Sequence, residues 1–129
     1  MSALVFVCAL MGVLTGPGDT VVPTQIKVKI GEEQRLKTAG LKIRFASVVE
    51  DSRCPKNVNC VWAGNGRVLI EIERRGKKSS SVELNTNLEP KAVTSYGYEI
   101  KLLQLDPYPV ANETIPRNKY VALLTIRKL

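Results

Sequence analysis

The chain has 129 residues, of which 44% are hydrophobic and 24% are charged, and its 19 lysines and arginines outnumber its 12 acidic residues. That length suits one domain with an apolar core, and the composition excludes a disordered chain. The sequence contains no histidine, which excludes catalytic designs that depend on a histidine base. We therefore expect one folded, basic domain.

The N-terminus carries an uncharged, apolar run over residues 3–14, and a Gly-Pro-Gly segment follows it closely. This is the length of a signal-peptide core, whereas a transmembrane helix needs about 20 such residues. We predict a signal peptide and the start of a tether over residues 1–18, the tether proper over 19–23, and a single domain over 24–129. The alternative is that the run forms a buried first strand. The signal peptide implies export to the periplasm or the extracellular space, without a transmembrane span.

Alternation of apolar and polar residues dominates the remaining chain and is typical of strands with one buried face. The apolar positions are Ile26, Val28, Ile30, Leu41, Ile43, Phe45, Val68, Ile70, Ile72, Val82, Leu84, Tyr96, Tyr98, Ile100, Leu102 and the run from Tyr120 to Ile126. Short turn segments rich in Gly, Pro and Asn separate them. We predict an all-β fold, an antiparallel β-sandwich of seven or eight strands, with a β-barrel as the alternative.

Two cysteines with five residues between them lie beside the only tryptophan. Export would remove Cys8 with the leader and leave Cys54 and Cys60 in an oxidising compartment. A zinc site needs four Cys or His ligands, so we expect no metal. We predict a structural disulfide that closes the loop 54–60. A redox-active bridge and a reduced pair are the alternatives.

Charged and aromatic residues flank this loop. Asp51 and Arg53 can pair with each other, cap backbone amides, or point outward to a partner. Trp62 can lie over the sulfurs or over the end of the sheet. A covalently closed loop loses little entropy on association, so this is where a partner would bind. The candidate binding residues are Arg53, Lys56, Asn57, Asn59 and Trp62.

The segment EDSRCPKNVNCVWAGNGRVLIEI, residues 50–72, resembles a D-S-R-C-P-x4-C-x-W-A-G signature found in small, uncharacterised, exported bacterial β-domains. The later segments GYEIKLLQLDPYP and KYVALLTIRK are similar to the closing strands of that group. The resemblance implies a β-fold, export and a bacterial source. It brings no known activity.

Three charge patterns in the sequence bear on other functions. Glu71 and Glu73 lie about 7 Å apart on one strand face, a spacing that glycosidases use, but we expect them to point to water. The cluster at residues 74–78 contains no aromatic residue for base stacking, so we expect a hairpin tip and no specific nucleic acid. A basic sheet face that attracts an anionic surface would consist of Lys27, Lys29, Lys42 and Arg44.

These features predict a monomeric, exported, non-enzymatic binding or structural module of the cell envelope, with no cofactor. Its partner would be a protein or an anionic envelope component. The competing interpretation is an inhibitor of a partner enzyme that acts through the loop 54–60. A hydrolase that works through carboxylates is the third.

Overall fold

The structure is a computed structural model that describes residues 22–129. The predicted signal peptide and most of the predicted tether lie outside these residues. The described chain forms eight strands and one turn of 3-10 helix. These are β1 (Thr24–Lys29), β2 (Glu33–Leu36), β3 (Leu41–Asp51), β4 (Gly66–Arg74), β5 (Ser80–Asn85), β6 (Ala92–Ser95), β7 (Tyr98–Asp106), η1 (Arg117–Lys119) and β8 (Val121–Lys128).

The strands form two antiparallel sheets of four strands each, which we call sheet 1 and sheet 2. Sheet 1 has the order β1-β8-β7-β6, and sheet 2 has the order β2-β3-β4-β5. Side chains from both sheets fill one shared core, in which Phe45, Ile70 and Leu124 are completely buried. Neither sheet closes on itself within residues 22–129. The predicted β-sandwich is confirmed, and the barrel alternative is wrong.

Strand β4 illustrates why the alternating pattern produces this fold. Val68, Ile70 and Ile72 are fully buried, while Glu71 and Glu73 lie on the opposite face of the strand. Full burial of one such aliphatic side chain contributes about 1.5–3 kcal/mol relative to exposure. The apolar residues therefore fix which face of each strand turns inward.

The alternating pattern does not predict two short strands, β2 and β6, or several register shifts. The β2 strand is polar, and it is held by its pairing with β3, for example Glu33 with Arg44. The β6 strand pairs with β7. A register shift between Leu102 and Gln104 moves the buried face of β7, so that Leu105 rather than Gln104 enters the core.

The strands run between two ends of the sandwich that differ in construction. One end contains the long connections at residues 52–65, 86–91 and 107–120, and we call it the disulfide end. The opposite end contains the turns at residues 37–40 and 75–79, and we call it the hairpin end. No helix within residues 22–129 is long and apolar enough to span a membrane.

Candidate functional site at the disulfide end

The cysteine loop is closed by a covalent bond. Cys54 and Cys60 form a disulfide with their Cα atoms 5.9 Å apart, as predicted. Inside the ring the chain reverses, and the amide of Val58 donates a hydrogen bond of 3.1 Å to the carbonyl of Pro55. The amide of Cys54 donates to the carbonyl of Ala63 at 2.9 Å, and this hydrogen bond joins the segment that enters the loop to the segment that leaves it.

Arg53 lies directly before the loop, and its side chain is only 2% exposed. Its guanidinium donates to both carboxylate oxygens of Asp51, at 2.7 and 2.8 Å. It also donates to the backbone carbonyls of Leu105 and Pro107. Of the three arrangements open to Asp51 and Arg53, the structure contains two, since they pair with each other and Asp51 also accepts a hydrogen bond of 3.4 Å from the backbone amide of Arg53. Arg53 thereby fastens the start of the loop to the end of β7.

Tyr120 completes this buried polar group, because its hydroxyl donates to a carboxylate oxygen of Asp51 at 2.8 Å. Burial raises the pKa of Asp51, but the hydrogen bonds from Arg53 and Tyr120 outweigh it and leave the pKa below its ordinary value. Burial, followed by the hydrogen bond to Asp51, raises the pKa of Tyr120 to about 12. At neutral pH the carboxylate is therefore charged and the phenol is protonated, as their hydrogen bond requires.

The loop after β7 covers the other side of the cysteine loop. The ring of Tyr108 lies over the guanidinium of Arg53, with 5.2 Å from the ring centroid to Cζ. The amide of Lys56 donates to the carbonyl of Pro109 at 3.2 Å. The side-chain oxygen of Asn57 accepts a hydrogen bond of 3.0 Å from the amide of Ala111. The two loops thus support each other through both backbone and side-chain contacts.

Asn65 ties the segment after the disulfide to a third loop. Its side chain is nearly fully buried and donates to the side-chain oxygen of Asn85 at 2.9 Å. Its own side-chain oxygen accepts from the amides of Asn87 and Leu88, at 3.1 and 3.2 Å. Each polar atom of this buried amide therefore has a partner, which is the condition for burying it at low cost.

Gly64 marks the point where the chain before the loop crosses the chain after it. Its φ of +70° lies in the left-handed region, and a Cβ atom built here would overlap the carbonyl oxygen of Ser52. The amide of Ser52 in turn donates to the carbonyl of Asn65 at 2.8 Å. Only glycine allows this close approach.

Apolar side chains remain exposed on this firmly held loop. Val61 is fully exposed, Trp62 is 60% exposed, and Val58 is 44% exposed. We call these three residues the apolar tip. Trp62 is not among the residues that pack against the core, as a ring lying over the end of the sheet would be. The tip places three large apolar groups within five consecutive residues.

The candidate binding residues therefore occupy different positions at this end. Lys56, Asn59 and Trp62 are exposed, and Asn57 is exposed while it contacts the amide of Ala111. Arg53 is buried, and its guanidinium would have to leave its partners to contact another molecule. The sequence reasoning overlooked Val58 and Val61, and it overlooked the buried supports Asn65, Asn85 and Tyr120.

The basic face considered from the sequence does not form. Ile26 and Val28 face the shared core from sheet 1, so Lys27 and Lys29 lie on the outer face of that sheet. Lys42 and Arg44 lie on sheet 2, whose outer face is on the opposite side of the molecule. That prediction is wrong because adjacent stretches of sequence belong to different sheets.

Glu71 and Glu73 lie on the outer face of sheet 2. A hydrogen bond from Lys42, 2.8 Å long, lowers the pKa of Glu73 below its ordinary value. Arg44 lies directly opposite Glu71 on the neighbouring strand. Among residues 22–129, no group of three His, Cys, Asp or Glu side chains is arranged to hold a metal ion.

Comparisons with known proteins gave no match to this chain, whether the search was of protein-family models, of curated proteins or of solved structures. The likeness to exported bacterial β-domains stays a prediction from the sequence.

Proposed function

We propose that the protein is an exported, monomeric, non-enzymatic binding module of the cell envelope, and that the apolar tip contacts a partner protein. The single observation that carries this proposal is the exposure of Val61 and Trp62 on a backbone that is held from within. A water-exposed tryptophan next to an exposed valine has an unfavourable surface until something covers it.

The way the loop is held favours recognition. The backbone of the loop is restricted before a partner binds. The restraints are the disulfide, the hydrogen bonds of Arg53, and the contacts of Lys56 and Asn57 with the loop after β7. Binding then costs little loop ordering. Tryptophan is enriched among residues whose truncation weakens an interface by about 2 kcal/mol or more. These two properties together support a preformed binding loop.

Several observations support a non-enzymatic role. The chain has no histidine, and the carboxylate of Asp51 already accepts hydrogen bonds from Arg53 and Tyr120. A general acid at neutral pH needs a raised carboxyl pKa, whereas the pKa values of Asp51 and Glu73 are lowered. The disulfide is consistent with an oxidising compartment and so with export.

Affinity capture from envelope extract tests the proposal. The wild-type domain, the variant Val61→Ser/Trp62→Ala and the control Leu103→Ala would be compared, since Leu103 is 43% exposed on sheet 1, away from the tip. We expect one partner to be retained by the wild type and the control and lost by the tip variant. Equal capture by all three proteins would refute a role for the tip.

An inhibitor of a partner enzyme is the second candidate, and the rigidity of the closed ring with Lys56 and Asn59 exposed on it favours this role. Inhibitors of this kind bind with little backbone movement. Assays against a panel of lysozymes and proteases test it. We expect Lys56→Ala/Asn59→Ala to abolish any inhibition, and a panel on which the wild type has no effect would remove this candidate.

A further inference from the structure

A cleft opens at the hairpin end, far from the disulfide. It has a volume of about 550 Å³ and lies between the β2–β3 and β4–β5 hairpins. The two turns are joined by a hydrogen bond of 3.1 Å from the amide of Arg75 to the carbonyl of Gly40. Gly40 and Gly76 line the cleft, and a Cβ atom at either would meet nothing within 4 Å. The mouth of the cleft is therefore open.

The charges that line the cleft are unbalanced. Arg35, Lys37, Lys42 and Arg75 line it, together with a single carboxylate, that of Glu73. Lys42 already holds Glu73, at 2.8 Å. Within residues 22–129, the ion pairs include none made by Arg35, Lys37 or Arg75. Three exposed cations thus line the same space without an ion pair, although the charge of Arg35 also acts on Glu73 and lowers its pKa. Their shared positive charge favours an anionic ligand.

The shape and chemistry of the cleft point to phosphate. A guanidinium presents parallel N–H donors that match phosphate oxygens in a bidentate manner, and arginines come from both sides of the cleft. Leu36, which is half-buried, also lines it, whereas Leu41 is only 2% exposed and offers almost no surface. An apolar contact surface beside the cations suits a phosphate that is attached to an organic group.

From this arrangement we infer that the hairpin end binds a phosphate-bearing ligand, with Arg35 and Arg75 as the principal contacts and Lys37 as a third cation. This goes beyond the proposed function, because the ligand binds at the opposite end from the apolar tip. The two sites leave each other accessible, so one molecule can hold an anionic component and a partner protein together.

Nucleic acid fits the cleft less well than a phosphate group does. Among the described residues, those that line the cleft include no aromatic side chain on which a base would stack. The nearby ring of Tyr96 lies against the guanidinium of Arg74, 5.7 Å from its centroid, and its hydroxyl donates to the carbonyl of Lys78. Among the described residues, the cleft lining therefore offers cations for a phosphate but no aromatic face for a base.

Titration calorimetry with sodium pyrophosphate tests the inference, and co-sedimentation with vesicles of phosphatidylcholine, with and without phosphatidylglycerol, identifies the source of the phosphate. The test variant is Arg35→Gln/Arg75→Gln. The control is Lys27→Gln/Lys29→Gln, which removes the same charge from exposed positions on the outer face of sheet 1. Urea denaturation would verify that both variants fold.

We expect the test variant to lose at least about tenfold in affinity, since two charge-assisted contacts are removed, and the control to stay close to wild type. Pyrophosphate binding would assign a free phosphate compound, and binding only to phosphatidylglycerol vesicles would assign a lipid headgroup. Either result supports the site. Equal losses in both variants would show attraction by net charge alone and overturn it, as would binding of neither probe. Capture of a protein by the apolar tip is unaffected by all of these outcomes.

Discussion

The two ends of this sandwich use their polar side chains in opposite ways. At the disulfide end, Arg53 and Asn65 are buried and Asp51 is half-buried, and their hydrogen bonds hold three long loops together. At the hairpin end, Arg35 on β2 and Arg75 on the turn after β4 are exposed and make no ion pair with another described residue.

The difference follows from the length of the connections. A turn of a few residues is fixed by its flanking strands, so its side chains need not support it. A connection such as residues 52–65 contains backbone groups that the strands do not satisfy, and buried polar side chains must bond them. The buried polar groups at the disulfide end thereby serve the structure, and the surface exposed there combines the apolar tip with Lys56 and Asn59. Cations at the hairpin end stay available to bind anions.

The largest contrast is expected for arginine at the two ends. Replacing Arg53 with Met would remove the cation that pairs with Asp51 and the donor to two carbonyls. The carboxylate would keep only the hydrogen bonds from the Tyr120 hydroxyl and from the backbone amide of residue 53. We expect a loss of about 3–5 kcal/mol in the free energy of unfolding. Arg75→Met at the exposed hairpin should change it by less than about 0.5 kcal/mol. Urea denaturation of both variants measures this, and similar losses at the two ends would contradict the comparison.

Glycine substitutions sharpen the same contrast. Gly64 and Gly76 both have positive φ, +70° and +76°, but only at Gly64 would a Cβ overlap backbone. We expect Gly76→Ala to cost about 1–2 kcal/mol, the cost of the left-handed conformation alone. Gly64→Ala should cost a further 1–3 kcal/mol or so from the overlap. Thermal or urea unfolding of the two variants compares them, and a larger loss at Gly76 would be inconsistent with the crossing described at Gly64.

The disulfide itself should matter less than Arg53. A ring of this size is expected to contribute about 2 kcal/mol through the entropy of the unfolded chain. Cys54→Ser/Cys60→Ser should therefore lower the free energy of unfolding by about 2 kcal/mol and leave the fold intact. A loss above that of Arg53→Met would mean that the covalent bond, rather than the buried arginine, organises this end.

Acid should weaken the disulfide end selectively. The pKa of Asp51 is lower in the folded protein than in the unfolded chain, so its stabilising effect is fully present above about pH 3.9. That effect is lost as the pH falls through the lower pKa of the folded state. Urea midpoints measured across this range should fall less steeply in Asp51→Asn than in wild type. Parallel curves for the two proteins would argue against the role of this carboxylate.

The smallest expected effect is spectroscopic. The Tyr120 phenol has a pKa raised to about 12, so the stability it contributes is present below the ordinary value near 10 and is lost as the pH rises through about 12. Ultraviolet titration of tyrosinate should contain a component near pH 12 that is missing from Tyr120→Phe. A titration curve of the same shape in both proteins would show that this hydroxyl is not held by Asp51.

Much of the fold was predictable because a buried strand face has a period that the sequence displays. Ile43, Phe45, Ile70 and Ile72 alternate with polar residues and all face the core. The β2 strand has no such period, since it is a polar edge strand that forms only because β3 offers it hydrogen bonds. The register shifts cannot be predicted from the sequence of one strand for the same reason, because they depend on the neighbouring strand.

The candidate site was predictable only in part. Cys54 and Cys60 indicate their bond because two cysteines remain once the predicted leader is removed. The direction of Arg53 depends on the carbonyls of Leu105 and Pro107, which lie more than fifty residues away in the chain. No local pattern reports such a contact. The hairpin cleft likewise arises only when two hairpins are placed side by side.

Photocrosslinking in cells that produce the protein tests the central claim most directly. A photoreactive amino acid would be placed at Val61 on the apolar tip, and at Leu103 on the outer face of sheet 1 as the matched exposed position. The account predicts one crosslinked partner protein from position 61, abolished by Trp62→Ala, and none from position 103. No crosslink at 61, or the same partner from both positions, would contradict it.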